Sequence, residues 1–267
     1  MGISDAAYAA LFAKLERERG FRGNLYRQRC LRRRVAVRMR ACGIEAIEDY
    51  ATFLDSDPAE YDRLLRVLTI NVSRFFRNPG TWEVIRHEVL PDLLARDGPL
   101  VMWSAGSAAG EETYSLAILV SESLACRGAN GWNAIRIIGT DIDGASLEAA
   151  RAAEYPEIAL SETPEELRRR WFGRGPPCKL RDPLPSLVEF WKLDILARRP
   201  EFDADLILCR NLLIYLDRGA QERVFHTFSD VLRPGGYLVL GRVEMLARDV
   251  RAEFEVVNAR ERVYRKR

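Results

Sequence analysis

Apolar residues recur every three or four positions through the first quarter of the chain, a spacing typical of amphipathic helices. Gly20, Gly43 and Pro58 interrupt this pattern where turns are expected. The predicted helices span 5–19, 25–42, 47–56 and 59–68. Because no strand pattern occurs there, residues 1–68 are predicted to form a small all-helical domain.

Beyond residue 68, short apolar runs bounded by turn residues alternate with helical patterns. The predicted strands span 100–104, 134–140, 188–191, 205–209, a run after the turn at 233–236, 254–257 and 263–264. The predicted helices span 81–89, a segment from 111 onward, 145–153, 164–172 and 221–232. Thr81 is expected to cap the first of these helices. The alternation predicts an α/β domain over 69–267, and its last two strands are predicted to form a hairpin.

A less regular segment interrupts the α/β pattern between residues 156 and 185. It contains the run GRGPPCKLRDPLP, and this composition favours turns over long helices or strands. We therefore predict a small β insertion at about 173–187, formed as a surface hairpin.

The stretch VMWSAGSAAGEETYS (101–115) combines a buried strand, a turn of small residues and a helix start. This order is typical of the first unit of a nucleotide-binding α/β domain, in which Gly106 and Gly110 leave room for a ligand beside the backbone. The glycine spacing does not match the dinucleotide fingerprint, and no lysine follows Gly110 as in a phosphate loop. Because Glu111 and Glu112 open the helix, a neutral or cationic ligand is favoured over a phosphate. Asp141, at the end of the second predicted strand, is placed to bind ribose hydroxyls.

Basic residues are concentrated in one part of the chain. The net charge is only +2, from 41 basic and 39 acidic residues, yet eight arginines and no acid occur between Arg22 and Arg40. On the second predicted helix, Arg29, Arg33 and Arg40 lie opposite the apolar stripe. This surface is either an ordinary solvated helix face or a docking surface for an acidic partner.

Several classes of protein do not fit the sequence. No uncharged apolar run is long enough for a transmembrane helix, and the first residues lack the features of a signal peptide or a myristoylation site. The five cysteines have no C-x-x-C spacing, and with two histidines they predict no metal site. We therefore expect a cytoplasmic protein that does not insert into a membrane.

At the level of particular motifs, the chain resembles the CheR-type chemotaxis receptor methyltransferases, which belong to the class I S-adenosylmethionine-dependent methyltransferases. The matching stretches are LTINVSRFFRNP (68–79), WSAGSAAGEETYSLA (103–117), GTDIDGASLEAA (139–150), FDADLILCRNLLIYLD (202–217) and LRPGGYLVLGRVE (232–244). The resemblance implies a Rossmann-like sheet with a C-terminal antiparallel hairpin, a helical N-terminal domain that docks the substrate and a small β insertion.

The resemblance also implies an activity. Members of this family transfer methyl groups from S-adenosylmethionine to glutamate side chains of chemoreceptors, which yields glutamate methyl esters and S-adenosylhomocysteine. The implied cofactor-binding residues are Asn71, Ser73, Arg77, Glu112, Asp141, Asp194, Ile195, Asn211 and Leu212, with Gly106 providing space. In the family the second helix lies near the substrate, which favours the docking hypothesis for Arg29, Arg33 and Arg40.

Two residues are candidates for the reaction itself. Arg77 is expected to hold the incoming carboxylate through paired hydrogen bonds, and Tyr215 is expected to orient it. The alternatives are a bridge between the two domains for Arg77 and ordinary packing for Tyr215. Phe75 and Phe76 are expected to pack in the core or at the domain junction. Glu111 is expected to cap the helix start or to lie in solvent there.

The chain departs from the family pattern at a few positions. Ser73 replaces a threonine, Thr113 a proline and Asp194 an asparagine, while the His-Ser pair before Glu244 becomes Arg242-Val243. These changes motivate an alternative function, a methyl-donor-binding scaffold or sensor with little catalysis.

A nucleic-acid methyltransferase is a third possibility, but the near-neutral charge and the absence of an Asn-Pro-Pro-Tyr motif count against it. We expect chemoreceptor cytoplasmic helices as partners and no nucleic acid. Some family members bind a receptor C-terminal peptide through the β insertion. The corresponding segment here, 173–185, is short and rich in proline, so no such tether is expected.

Overall fold

The computed structural model describes residues 5–69, 73–127 and 134–267. The chain forms two compact units. One comprises Met1–Asn71 together with the short segment Tyr215–Gln221, and the other comprises Val72–Ile214 with Glu222–Arg267. Among the described residues, no helix has both the length and the apolar composition needed to cross a bilayer.

The first unit is helical, as its sequence pattern predicts. Its helices are α1 (Asp5–Arg19), α2 (Gln28–Ala41), α3 (Ile47–Ser56) and α4 (Pro58–Thr69). On α2 the side chains of Leu31, Val35 and Met39, spaced four residues apart, are buried and form its inner face. The predicted bounds of α1 and α3 are confirmed.

Helix α2 begins three residues later than predicted, because residues 23–25 form a separate 3₁₀ turn. At Gly23 a Cβ atom would lie 2.8 Å from the Phe12 ring, so this turn packs too closely on α1 for a side chain. The next residues pair with the later segment of the same unit. Tyr26 forms a β-bridge with Leu216, and the Arg27 N–H donates to the carbonyl of Tyr215 at 2.8 Å.

A buried ionic network joins helices α2, α3 and α4. The Glu60 side chain is fully buried and accepts hydrogen bonds from Arg38 at 2.7 and 2.9 Å and from the Tyr50 hydroxyl at 2.7 Å. Arg63 adds a hydrogen bond at 3.2 Å. Burial acts to raise the pKa of Glu60, but these donors outweigh it and lower the pKa to about 2.

The second unit is built on a seven-stranded sheet in the order β5-β2-β1-β6-β7-β9-β8. These strands are β1 (Leu100–Ala105), β2 (Ile135–Asp141), β5 (Val188–Lys192), β6 (Ala204–Cys209), β7 (Leu232–Leu240), β8 (Phe254–Asn258) and β9 (Val263–Lys266). All neighbours from β5 to β7 pair in parallel, and β9 pairs antiparallel with both β7 and β8. The predicted α/β sheet and its C-terminal hairpin are confirmed.

The helices of this unit are α5 (Pro79–Val84), α6 (Leu90–Leu93), α7 (Glu111–Arg127), α8 (Gly144–Ala152), α9 (Glu165–Trp171) and, from Glu222 onward, α10 (Arg218–Val231). A π-helical turn, Ile85–Val89, connects α5 to α6. The prediction that Thr81 caps the first of these helices is wrong. Asn78 lies at the N-cap position, and the Thr81 hydroxyl instead donates to Glu261 at 2.7 Å.

The β insertion differs from the predicted local hairpin. Strand β4 (Cys178–Lys179) pairs antiparallel with β3 (Glu154–Tyr155), which precedes it by more than twenty residues, and α9 lies between them in the chain. Sequence periodicity did not reveal β3 because two residues are too few to show an alternating pattern.

The Glu60 network predicts acid sensitivity. The folded pKa of Glu60 lies below its ordinary value of 4.5, so its stabilisation is complete above pH 4.5 and is lost as the pH falls towards 2. At pH 7, Glu60→Gln should lower the free energy of unfolding by about 3 kcal/mol, because Arg38 loses its buried partner. The measurement is chemical denaturation followed by circular dichroism at pH 7 and pH 3. The variant should lose less stability than the wild type on acidification.

The control for this prediction is Glu48→Gln, which changes an exposed acid on α3. Equal stability of Glu60→Gln and the control would contradict the assignment.

Candidate functional site

The carboxyl ends of the parallel strands meet at one edge of the sheet, where ligands bind in open α/β folds. The turn after β1 is closely packed at this edge. Gly106 has a φ of +78°, and its N–H and that of Ser107 donate to the Thr140 carbonyl at 2.8 and 2.9 Å. A Cβ atom at Gly106 would lie 2.9 Å from Leu212 Cδ2, so this turn and the segment after β6 come into contact at a position that requires glycine.

Asp141 connects the ends of β1, β2 and β5. Its Oδ2 accepts from the Ala108 N–H at 2.9 Å and its Oδ1 from the Asp143 N–H at 2.9 Å. Its carbonyl accepts from the Leu193 N–H at 3.0 Å, which brings Asp194 and Ile195 to the same edge. Burial raises the pKa of Asp141, although the backbone donors act in the opposite direction. The Asp194 carboxylate is half-buried and accepts from the Leu196 N–H at 2.9 Å.

A buried arginine joins three motif segments. The Arg210 guanidinium donates to the Arg77 carbonyl at 2.6 Å and to Asn78 Oδ1 at 3.2 Å, and it pairs with Glu112 at 3.5 Å. Its side chain is 2% exposed and lies over the Trp82 ring at 5.5 Å. The Glu112 carboxylate also accepts from the Ser104 hydroxyl at 2.8 Å. Burial lowers the pKa of Arg210 and raises that of Glu112.

The segment Phe75–Asn78, which we call the Arg77 turn, borders a cavity of about 270 Å³. The cavity is lined by Ser73, Arg74, Arg77, Asn78 and Glu162. Two arginines and one acid face it, so a carboxylate ligand finds more positive than negative charge there. Phe75 and Phe76 are buried in the core of the unit, as predicted.

Asn211 follows β6 in a left-handed conformation, with a φ of +62°. Glu244 stabilises this conformation, because its carboxylate accepts from the N–H groups of Asn211, Gly241 and Ile214 at 2.9, 2.7 and 3.3 Å. The buried Oδ1 of Asn211 has no hydrogen-bond partner within the part of the chain that the structure describes. A buried amide oxygen in this state is available to a ligand.

The expectation that Glu111 lies in solvent at the helix start is wrong. The residue is 6% exposed, and burial raises the pKa of its carboxyl to about 7. Its Oε2 has no hydrogen-bond partner among residues 5–69, 73–127 and 134–267. The polar sequence at a helix start suggests exposure, but Phe190 and Tyr155 pack against the preceding residue, Gly110.

The remaining predicted residues belong to the helical unit or lie outside the described residues. Tyr215 belongs to the helical unit, where Arg34 lies over its ring at 6.0 Å. Arg29, Arg33 and Arg40 are exposed on α2, and none of them pairs with an acid among the described residues. Asn71 lies outside the described residues.

The departures at positions 242 and 243 have a structural explanation. The Arg242 guanidinium forms two hydrogen bonds with Glu261, at 2.6 and 2.8 Å, and Glu261 also accepts from Thr81. Arg242 thus joins the loop after β7 to the start of α5 and to the turn before β9. Val243 is exposed and Glu244 retains its contacts with Asn211. The loop keeps its anchoring acid although the His-Ser pair is absent.

Sequence reasoning missed the roles of Arg210, Glu244 and Ser104. Their positions in the sequence could have pointed to these roles. Each residue lies in a matching motif, and Arg210 and Ser104 stand at the carboxyl ends of predicted strands. Arg210 bonds to Arg77 and Glu244 bonds to Asn211, each far away in sequence, so the fold was needed to find these two contacts.

Comparison with known proteins agrees with this geometry. The profile described as "CheR methyltransferase, SAM binding domain" matches residues 71–263, and the profile described as "CheR methyltransferase, all-alpha domain" matches residues 6–69. The chain belongs to the CheR methyltransferase family.

Its CheR relatives include a "Chemotaxis protein methyltransferase" of Listeria innocua, 32% identical over 87% of this chain and 87% of that protein. "Chemotaxis protein methyltransferase 2" of Pseudomonas aeruginosa is 34% identical over 79% of this chain and 76% of that protein. An uncharacterized 104.1 kDa protein of Rhodobacter capsulatus is 32% identical over 90% of this chain, and there the match spans only 25% of the relative.

The cofactor of this CheR domain is S-adenosylmethionine. The residues present fit it. Gly106 lets Leu212 approach the backbone of the turn after β1, so the room expected at this glycine is filled by that side chain. Asp141 offers carboxylate oxygens of the kind that bind ribose hydroxyls, and Asn211 Oδ1, which has no hydrogen-bond partner among the described residues, is a further acceptor. Glu112 adds a buried carboxylate, which favours a ligand with ammonium and sulfonium charges.

The contact between Gly106 and Leu212 gives a test of this site. Gly106→Ala should weaken S-adenosylhomocysteine binding about 10-fold or more, because it adds strain at positive φ and displaces Leu212. The matched control is Gly98→Ala, since Gly98 has a φ of +97° and no described residue lies within 4 Å of an added Cβ. The control should lose stability but keep its affinity. Isothermal titration calorimetry and thermal unfolding measure the two effects. Equal affinity of both variants would show that the turn after β1 does not border the ligand.

Proposed function

We propose that this protein transfers a methyl group from S-adenosylmethionine to glutamate carboxylates of chemoreceptors, as a protein-glutamate O-methyltransferase. The observation that carries the proposal is the position of Arg210. It holds the Arg77 turn and Glu112 at the carboxyl edge of the sheet, beside Asn211. Arg77, the residue proposed to bind the carboxylate, is thereby joined to the edge of the sheet proposed to bind S-adenosylmethionine.

Relatives support the choice of substrate. The proteins of Listeria innocua and Pseudomonas aeruginosa bear names that assign them to chemotaxis, and the alignments cover most of both chains. By similarity we propose chemoreceptors, or receptors of a related chemosensory pathway, as the methyl acceptors. Such a reaction takes place in the cytoplasm.

The mechanism follows from the chemistry of the acceptor. A glutamate carboxylate, with an ordinary pKa near ~4.3, is ionised at pH 7 and needs no general base. Bound S-adenosylmethionine supplies an electrophilic methyl group on a positively charged sulfur. The chain's residues must therefore align the carboxylate with that group and exclude water.

The residues take separate tasks in this proposal. Arg77 holds the incoming carboxylate through paired hydrogen bonds, and Tyr215 orients it. Asp141 and Asn211 bind the donor, together with Ser73, Asp194, Ile195 and the other residues implied by the family. Since no proton is transferred, the buried acids serve binding rather than acid–base catalysis.

Receptor docking is proposed for the exposed face of α2. Arg29, Arg33 and Arg40 pair with no acid in the part of the chain that the structure describes, and they offer three guanidinium groups to acidic receptor helices. The short ribbon of β3 and β4 has only two residues in each strand, and we propose that it holds no receptor peptide.

Arg77→Ala should lower kcat/KM for receptor methylation about 100-fold, because the carboxylate loses its orienting partner. Arg77→Lys should recover only part of this loss, since a lysine keeps the charge but not the paired geometry. The measurement is transfer of labelled methyl to receptor fragments from the same genome as a base-labile ester. If the wild type binds the donor but labels no fragment, the proposed activity is wrong and the scaffold hypothesis is favoured.

The triple variant Arg29→Ala, Arg33→Ala and Arg40→Ala should raise KM for the receptor about 10-fold and leave donor binding unchanged. The effect should diminish at high salt because it is electrostatic. The control replaces three exposed arginines of the other unit by alanine and removes the same charge. These are Arg223, Arg248 and Arg251. An equal rise in KM for both triple variants would point to net charge rather than to a docking surface.

A further inference from the structure

The Arg77 turn is held in an unfavourable backbone conformation. Phe76 and Asn78, the neighbours of Arg77 on either side, have φ values of +54° and +59°. Asparagine adopts such values more readily than other residues with a Cβ atom, but a phenylalanine maintains them only where surrounding contacts impose them. Two such residues around one arginine determine the direction in which its side chain leaves the backbone.

Side chains from several elements hold the peptide groups of this turn. The Phe76 N–H donates to Ser115 Oγ at 2.9 Å, and the Asn78 N–H donates to Glu162 at 2.9 Å. The carbonyl of Arg77 accepts from Arg210 at 2.6 Å and from Trp82 Nε1 at 3.1 Å. The backbone on both sides of Arg77 is therefore fixed.

Among these contacts, the Ser115 hydroxyl bonds both to its own helix and to the Arg77 turn. Its hydroxyl is fully buried on α7, donates to the Glu111 carbonyl at 2.6 Å and accepts from the Phe76 N–H. Ser123, two turns later on the same helix, forms the equivalent bond to its own helix, to the Leu119 carbonyl at 2.8 Å. Ser115 therefore also accepts a hydrogen bond from a different segment of the chain. This second bond contributes nothing to helix α7 itself.

We infer that Ser115 is a positioning residue for Arg77. Its hydroxyl fixes the left-handed conformation of Phe76 and thereby aims the Arg77 guanidinium into the cavity beside the donor site. The inference rests on the role proposed for Arg77. Ser115 is a more selective probe than Arg210, because Arg210 also pairs with Glu112 and its replacement would disturb the donor-binding acid directly.

A double-mutant cycle tests this inference. Ser115→Ala, Arg77→Ala and the double variant are compared with the wild type for kcat, for KM of the receptor fragment and for S-adenosylhomocysteine affinity. Ser115→Ala should lower kcat/KM about 10-fold in the wild-type background and less than about 2-fold in the Arg77→Ala background. Its effect on the melting temperature should be the same in both backgrounds, because the lost hydrogen bond does not involve the Arg77 side chain.

The matched control is Ser123→Ala, which removes the equivalent intrahelical bond and should change kcat/KM less than about 2-fold. If Ser115→Ala fails to fold, Trp82→Phe takes its place in the cycle. That variant removes the Nε1 donor to the Arg77 carbonyl and keeps an aromatic ring. The same dependence on Arg77 is expected, with a loss of about 3-fold.

The outcomes separate the inference from the proposed function. Equal losses in both backgrounds would mean that Ser115 acts on the whole unit, and this would overturn the inference. If Arg77→Ala itself leaves methylation unchanged, the role of Arg77 fails and the inference fails with it. If Arg77→Ala reduces methylation but Ser115→Ala and Trp82→Phe do not, the role of Arg77 stands and only the inference is wrong.

Discussion

The buried guanidinium of Arg210 is the interaction on which the site depends. A charge that is almost fully removed from water is costly unless it is paired and hydrogen-bonded. Here its partners are the Glu112 carboxylate, the Arg77 carbonyl and the Asn78 side chain, from segments more than thirty residues apart in sequence. Since loss of any partner leaves the charge less well compensated, the three segments are constrained to keep their mutual position. The Arg77 turn, the start of α7 and the end of β6 thus behave as one assembly.

Most of the fold could be predicted from the sequence because its elements have clear local patterns. Strand β1 was predicted at 100–104 and spans Leu100–Ala105, and α3 has the predicted bounds. Errors occurred where a partner distant in sequence decides the conformation. The N-cap of α5 is Asn78 rather than Thr81, because the Thr81 hydroxyl bonds to Glu261. The β3–β4 ribbon was missed for the same reason, since each strand is defined only by its partner.

The candidate site was predicted as a set of residues but not as an arrangement. Motif resemblance proposes Arg77, Glu112, Asp141 and Asn211 as site residues, yet it gives no reason for Arg210, Ser115 or Glu244. These residues act on backbone groups of other segments, and a hydrogen bond to a backbone group leaves no pattern in a single sequence. The burial of Glu111 was unpredictable on similar grounds, because a charged residue at a helix start is ordinarily solvated.

The helical unit is not contiguous in the chain, since Tyr215–Gln221 belongs to it. Backbone bonds from Arg27 to Tyr215 and from Asp217 to Leu25 join this segment to the residues before α2. An excised fragment ending after α4 would lack this pairing and would expose the edge at Tyr26. An exchange of the N-terminal residues with those of a relative therefore requires the heptapeptide Tyr215–Gln221 to be exchanged as well. For protein engineering, the boundary of the helical unit should therefore be chosen from its hydrogen bonds and not from sequence order.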